Sequence, residues 1–182
     1  MESSPDNLAP MTLNPVGIVK SEIKTPGLKA NTNDIELQTK RDQLKEDHQI
    51  IQNNICELVI YPEFELLLDG IEDFSHILVL YWPHLIDPEN RKLKKVHPMG
   101  RKDMPIKGIF STCSPARPNP ILVSAVELVE RNQNILRVKG FEAVDNSPVV
   151  DIKPYSTSYY QVKNPIVPSW MVQLQNEAAA PE

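Results

Sequence analysis

Two cysteines, Cys56 and Cys113, are too few for the disulfide framework of a small secreted domain, and they fit a reducing compartment. Glycine is also scarce, at six residues. Neither a Walker-type loop nor a GxGxxG turn is present, which disfavours doubly wound dinucleotide-binding and methyltransferase folds. No apolar run approaches the length needed to cross a bilayer. The opening Met1-Glu2-Ser3-Ser4-Pro5-Asp6 has neither a basic nor an apolar stretch, so no secretory signal is visible and the cytoplasm is the expected location. His76, His84 and His97 lack an i, i+4 partner and a cysteine pair at ligand spacing, so no metal site is expected. Ser114 has no nucleophile-elbow context, which argues against a serine hydrolase. A formal net charge of −5 counts against a dedicated nucleic-acid binder, although a local basic face can act alone.

Proline, by contrast, is abundant at 17 residues. It removes backbone donors and breaks long helices, so short strands and fixed turns are expected. The length of 182 residues suits one domain with a real core. Strands are predicted at 16–21, 56–61, 76–82, 121–130, 134–140 and 149–152, with a hairpin turn at Arg131-Asn132-Gln133 and a brief helix between Pro62 and Gly70. His76, inside a strand, reads as a hydrogen-bonded core histidine. From Asn33 to Asn53 the pattern reads as a helix. Asn33 could cap it with Glu36 three residues on, and Leu37, Leu44 and Ile51 form a narrow stripe suited to a barrel mouth or a subunit contact. The fold expected is mainly β: a small antiparallel β-barrel over 14–157 with that helix added, a flexible tail over 1–13, and an extended C-terminal tail over 158–182 that ends in disorder.

Two stretches carry the candidate chemistry. In Cys113-Ser114-Pro115-Ala116-Arg117-Pro118-Asn119-Pro120, three prolines fix φ and bias Ser114, Arg117 and Asn119 towards extended backbone. Such a loop presents Arg117 and Asn119 with little ordering entropy left to lose on binding. The same residues are equally consistent with a rigid turn and a solvated Arg117. The second stretch runs from Asp145 to Tyr155. Asp145-Asn146 is turn chemistry, and Asp151 and Lys153 alternate with apolar residues as on a half-buried strand carrying a surface ion pair.

Together these stretches resemble the TsaA-like, or TrmO-type, family. The family signature G-x-F-A-T-R-S-P-x-R-P-N-P-I-G-L-S reads here as the run from Gly108 to Ser124, and D-G-T/S-P-V-x-D-I-K-P-Y as the run from Asp145 to Tyr155. Asp73-Phe74-Ser75-His76 and Pro15-Val16-Gly17-Ile18-Val19-Lys20-Ser21 fit as well. The resemblance implies a small β-barrel that binds S-adenosyl-L-methionine (SAM), acts as a homodimer, and methylates N6 of threonylcarbamoyladenosine at position 37 of tRNA. By position it implies a cofactor pocket using Pro83, His84, Cys113, Val123, Lys139, Gly140, Phe141 and Glu142. Ser114, Arg117 and Asn119 would belong to its walls. Asp145 and His84 are candidates for the base that takes the acceptor's proton. The cluster Arg91, Lys92, Lys94, Lys95, Arg101 and Lys102 is the expected tRNA-docking loop. Among the departures from the signature, Cys113 stands for its arginine, Leu122 for its second glycine, and Asn146 for the glycine after the aspartate. Two rival readings are methylation of a different acceptor and a non-catalytic SAM-binding interaction module.

Overall fold

The computed structural model describes residues 11–38 and 44–178. Six antiparallel strands close a barrel. They are β1 (Gly17–Lys20), β4 (Ile55–Ile60), β5 (His76–Tyr81), β8 (Leu122–Asn132), β9 (Ile135–Lys139) and β10 (Pro148–Pro154), in the order β1-β10-β5-β8-β9-β4. Period-two alternation builds the interior. Val19, Cys56, Leu58, Ile60, Ile77, Val79, Tyr81, Leu136, Val138 and Val149 point inward and meet Phe141 and Ala143 in one core. A barrel this narrow is filled by its own side chains. Burying each of the larger ones stabilises the fold by about 1.5–3 kcal/mol. The barrel strands read from the sequence are all present, as is a 3-10 turn over Pro62–Leu68.

Register slips between Val149 and Asp151 and between Leu128 and Glu130 bend the two strands that flank β5 and β9. Asn146, at φ 62°, makes the turn that enters β10, and Gln133, at φ 54°, makes the hairpin between β8 and β9.

The expected helix from Asn33 is not there. Residues Leu28–Ala30 and Ile35–Leu37 form the hairpin β2–β3, and among the described residues of that span only Leu44–Asn53 is helical (α1). The physical reason is Asn31. Its Oδ1 accepts from the amides of Asn33 and Asp34 at 2.8 Å each, turning the chain where the helix was expected to start. Ile35 then enters a second small core with Leu93, Val96, Ile109 and Ala116. The short ribbon β6 (Lys95–Val96) and β7 (Lys107–Gly108) completes this layer.

Two other expectations change. His76 is exposed and shares a 3.0 Å hydrogen bond with Ser75 Oγ, because it opens β5 on the outward face. The C-terminal segment is extended only in part. A short helix α2 (Thr157–Tyr160) is followed by α3 (Ser169–Ala178), whose first turn forms as Met171 and Val172 donate to the carbonyl of Pro168. Leu174 is buried and α3 packs on α1. Residues 1–10 of the tail expected over 1–13, and residues 179–182 of that expected over 158–182, lie outside the described residues. Among the described residues no helix is long and apolar enough to cross a membrane.

Candidate functional site

A cleft of about 600 Å³ opens at the end of the barrel where β5 finishes, β8 begins and β10 is entered. Tyr81, Leu122, Val123, Glu142, Ala143, Val144 and Ser147 form the barrel wall. The opposite wall is a cap made of Ile23, Pro26, Gly27 and Leu28, Ile51 at the end of α1, and Met99. The Thr112–Arg117 loop closes one side and Pro83–Ile86 the other. The volume falls in the range of small-molecule sites, and the lining is mostly apolar with a few convergent polar groups, as such sites are.

The most informative polar group is Glu142. Tyr81 donates its hydroxyl to Glu142 Oε1 at 3.0 Å, and Ser124 Oγ donates to the same oxygen at 2.7 Å. Both donors are neutral, and no cation pairs with this carboxylate among the described residues. Tyr81 is fixed in turn by edge-to-face packing on Phe141, with ring centroids 4.9 Å apart. Burial, with the adjoining Glu142 charge, raises the Tyr81 phenol well above its ordinary range, so it stays a donor. Gly140, at φ 81°, turns the chain after β9 and sends Phe141 into the core and Glu142 to the cleft. The cleft rim therefore carries an exposed carboxylate, without an ion-pair partner among the described residues, beside apolar surface, which suits a ligand with an apolar body and a positive centre.

The residues expected at a cofactor pocket divide into two groups. Pro83, His84, Cys113, Arg117, Val123 and Glu142 all line the cleft. Ser114, Asn119, Lys139, Gly140 and Phe141 do not. Ser114 is buried behind the loop, where its Oγ accepts from the Ala116 amide at 3.2 Å. Arg117 braces its own loop, donating Nε to the Ser114 carbonyl at 2.8 Å and Nη2 to the Thr112 carbonyl. It is thus both a strut and a lining residue.

The two candidate bases are separated. His84 lies in the cleft with Nδ1 3.4 Å from Ser147 Oγ. Asp145 faces a different, polar groove with Lys20, Lys24 and Arg137. There it accepts from the Ser21 amide at 3.1 Å and pairs with Lys24 at 3.0 Å. The Ser21 amide and then Lys24 hold its carboxyl below the ordinary range, which is the wrong direction for a base.

The basic segment is largely committed to structure. Arg91 lies 5.1 Å from the Trp82 ring centroid and donates to the Ile86 carbonyl. Lys92 pairs with Glu89 at 2.7 Å. Arg101 is buried between Asp103 and Glu177 of α3. Lys102 pairs with Asp34, which also accepts from the backbone amide of His97 and from its Nδ1 at 2.6 Å. Burial opposes the Asp34 charge, yet Lys102 and His97 override it and hold the carboxyl far below the usual range. Only Lys94 and Lys95 of this segment project without an ion pair among the described residues.

These ion pairs clamp the turn that carries Met99. Met99 has φ 53°, and Gly100, at φ 67°, lies so close to β3 that a Cβ there would meet Ile35 O and Leu37 N at 2.8 Å. Ile51 stands at the barrel mouth, one of the two places its stripe suited, whereas the rest of the cap, including Met99 and Leu28, was not foreseen. The residues are distant in sequence and share no motif. Tyr81 and Ser124 were missed as supports of Glu142. They stand directly at strand positions pointing to that end of the barrel, which becomes a signal once register is known.

The sequence profile of the tRNA-methyltransferase O N-terminal domain matches residues 37–160. A probable S-adenosyl-L-methionine-binding protein of Methanothermobacter thermautotrophicus is 41% identical over 143 residues, covering 79% of this chain and 88% of that protein. A mouse tRNA (adenine(37)-N6)-methyltransferase is 36% identical over 103 residues, covering 57% of this chain but 23% of the mouse protein. The crystal structure of TrmO from Pseudomonas aeruginosa superposes with a TM-score of 0.61 at 22% identity, covering 87% of this chain and 62% of that one. The chain thus spans nearly all of the archaeal relative and less than two thirds of the TrmO chain.

Proposed function

We take as premise that the chain belongs to the tRNA-methyltransferase O N-terminal domain family, and we propose that it is a SAM-dependent methyltransferase acting on N6 of threonylcarbamoyladenosine at position 37 of tRNA. The observation that carries the cofactor reading is the Glu142 carboxylate, held by two neutral hydroxyls at an apolar cleft. SAM fits that donor set. Its sulfonium and ammonium are positive, and its adenosine offers apolar faces to Val123, Leu122 and Val144. Leu122 and Cys113, where the signature has a glycine and an arginine, line the cleft without closing it.

When bound, SAM supplies a methyl group on a positive sulfur, so the N6 nitrogen gains a carbon, the sulfur recovers the electron pair of the broken bond, and one proton must leave N6. This chain's residues align and shield the reacting atoms, which is where most of the acceleration of an in-line displacement arises. Glu142 favours the cation, the apolar walls exclude water, and the braced Thr112–Arg117 loop fixes one side of the cleft. N6 of the acceptor adjoins a carbonyl, so its proton is more acidic than that of a plain amine and a modest base suffices. His84 is the cleft residue suited to accept it, and Asp145 is not. A homodimer is the proposed functional unit, with the domain proper over 14–157.

A second reading, methylation of a different acceptor, draws on the net charge of −5 and on the commitment of Arg101 and Lys102 to internal ion pairs. Incubating the purified protein with SAM and tRNA, then measuring nucleosides by mass spectrometry, separates the two. The primary reading expects threonylcarbamoyladenosine to gain the mass of one methyl group. Unchanged nucleosides from a protein that binds SAM would transfer the assignment to another acceptor.

A further inference from the structure

Phe110 is four-fifths exposed, although the turn that bears it is firmly anchored. That turn, Ile109–Ser111, is held by the buried Ile109. The Ile109 amide donates to the Lys94 carbonyl at 3.0 Å, and Thr112 Oγ1 donates to the Ile109 carbonyl at 2.9 Å. Nothing in the described fold uses the Phe110 ring. Thr112 and Cys113, immediately after this turn, line the cleft. Two residues of chain span at most about 7 Å, so the Phe110 backbone lies within that distance of the cleft-lining Thr112.

The charge around it has one sign. Lys94 immediately precedes β6, Lys95 and Lys107 lie on the β6–β7 ribbon that leads into the turn, and none of the three has an ion pair among the described residues. From Met104 to Cys113 the chain carries no acidic residue, in a protein whose net charge is −5. This differs from the other half of the basic segment, where Arg101 and Lys102 are spent on Asp103, Glu177 and Asp34. A rigid exposed aromatic beside unpaired cations, close in the chain to residues lining a nucleoside-sized cleft, fits single-stranded nucleic acid, whose bases stack on aromatic rings while lysines meet the phosphates.

From this juxtaposition we infer that Phe110 is a stacking platform for an unpaired base adjoining the nucleoside in the cleft, with Lys94, Lys95 and Lys107 contacting the flanking phosphates. The inference rests on the tRNA reading above and narrows the docking surface to the β6–β7 ribbon and its following turn. It adds Phe110 and Lys107 and leaves out Arg101 and Lys102.

The test uses the full chain and an anticodon stem-loop RNA carrying threonylcarbamoyladenosine, with affinity followed by fluorescence anisotropy across a salt series. Phe110→Ala should weaken binding about tenfold, in line with the loss of one stacked base, and leave the salt slope unchanged. Phe110→Trp should retain wild-type affinity. Lys94→Ala, Lys95→Ala and Lys107→Ala combined should flatten the slope of log affinity against log salt by about two units, at roughly 0.7 per single-strand contact. SAM affinity should stay unchanged in all three variants. Wild-type RNA affinity in Phe110→Ala, from a protein that still methylates the RNA, would overturn the platform and leave the methyltransferase reading standing. A wild type that neither binds nor methylates the RNA would overturn both. Conversion of a dimer to a monomer by Phe110→Ala, seen by light scattering, would overturn the platform by showing that the ring meets a second copy of the chain.

Discussion

The two walls of the cleft are built from different forces. The barrel wall is the end of a continuous apolar core in which Leu58, Ile77, Val79, Leu136 and Val149 are fully buried and no ion pair takes part. The cap wall rests on a second, smaller core and on two charge clusters, Asp34 with His97 and Lys102, and Arg101 with Asp103 and Glu177. Apolar burial is insensitive to pH and cooperative across the whole barrel, whereas carboxylate clusters fail with acid and can open locally. A rigid half-site on the barrel thus faces a half-site whose position is set by electrostatics.

The largest expected effect lies in the barrel. Leu136→Ala should lower global stability by about 3 kcal/mol in denaturant unfolding, because the closed barrel cannot collapse around the void. A loss below about 1 kcal/mol would mean the barrel is more plastic than this contrast allows.

The cap should respond next. Asp34→Asn keeps the shape but removes the charge that Lys102 and His97 meet, costing about 1–3 kcal/mol. Hydrogen exchange should show faster exchange at the Ile35 and His97 amides and unchanged protection at Leu58 and Leu136. The sign of the pH effect follows from the lowered carboxyl. Unfolded aspartate titrates near 3.9, and the folded group lies lower. Its contribution is therefore fully present above that value and is lost as pH falls below about 4. Acid should open the cap before the barrel, and Asp34→Asn should remove the Asp34 part of that step, leaving the part carried by Asp103 and Glu177. Simultaneous loss of both regions in acid would erase the distinction.

The smallest effect belongs to the Asp151–Lys153 pair, 2.7 Å apart with both side chains about half exposed. Lys153→Ala should change stability by no more than about 0.5 kcal/mol, measured by thermal unfolding, as exposed pairs do.

The same contrast explains what could be read in the sequence. Barrel strands were legible because period-two apolar patterns and proline stops act locally, although the hairpin turn falls at Gln133-Asn134 rather than at the expected Arg131-Asn132-Gln133, with Arg131 and Asn132 still paired in β8. The second signature stretch folded as its residues suggest, with Asn146 at positive φ and an Asp151–Lys153 surface pair. The cap was not legible. Leu37, Leu44 and Ile51 keep a seven-residue spacing, yet Asn31 turns the chain first and Ile35 is claimed by a partner layer some sixty residues away. Basic residues at 91–102 looked alike in sequence, and only tertiary contacts distinguish Arg101, buried against α3, from the exposed Lys94 and Lys95. Arg117 and Asn119 formed a symmetrical pair of candidates in the proline loop. The fold brings Arg117 to the cleft as a strut and leaves Asn119 outside it.

The central claim is that the cleft, with Glu142 at its rim, holds SAM. Isothermal titration of the full chain and of Glu142→Gln with SAM tests it most directly, with circular dichroism to show that both are folded. The account predicts measurable binding to the wild type and about tenfold weaker binding to the variant, since a neutral amide removes the charge and leaves the Tyr81 and Ser124 hydroxyls an acceptor of the same shape. Equal affinity in the two proteins, or no binding to the folded wild type, would contradict it.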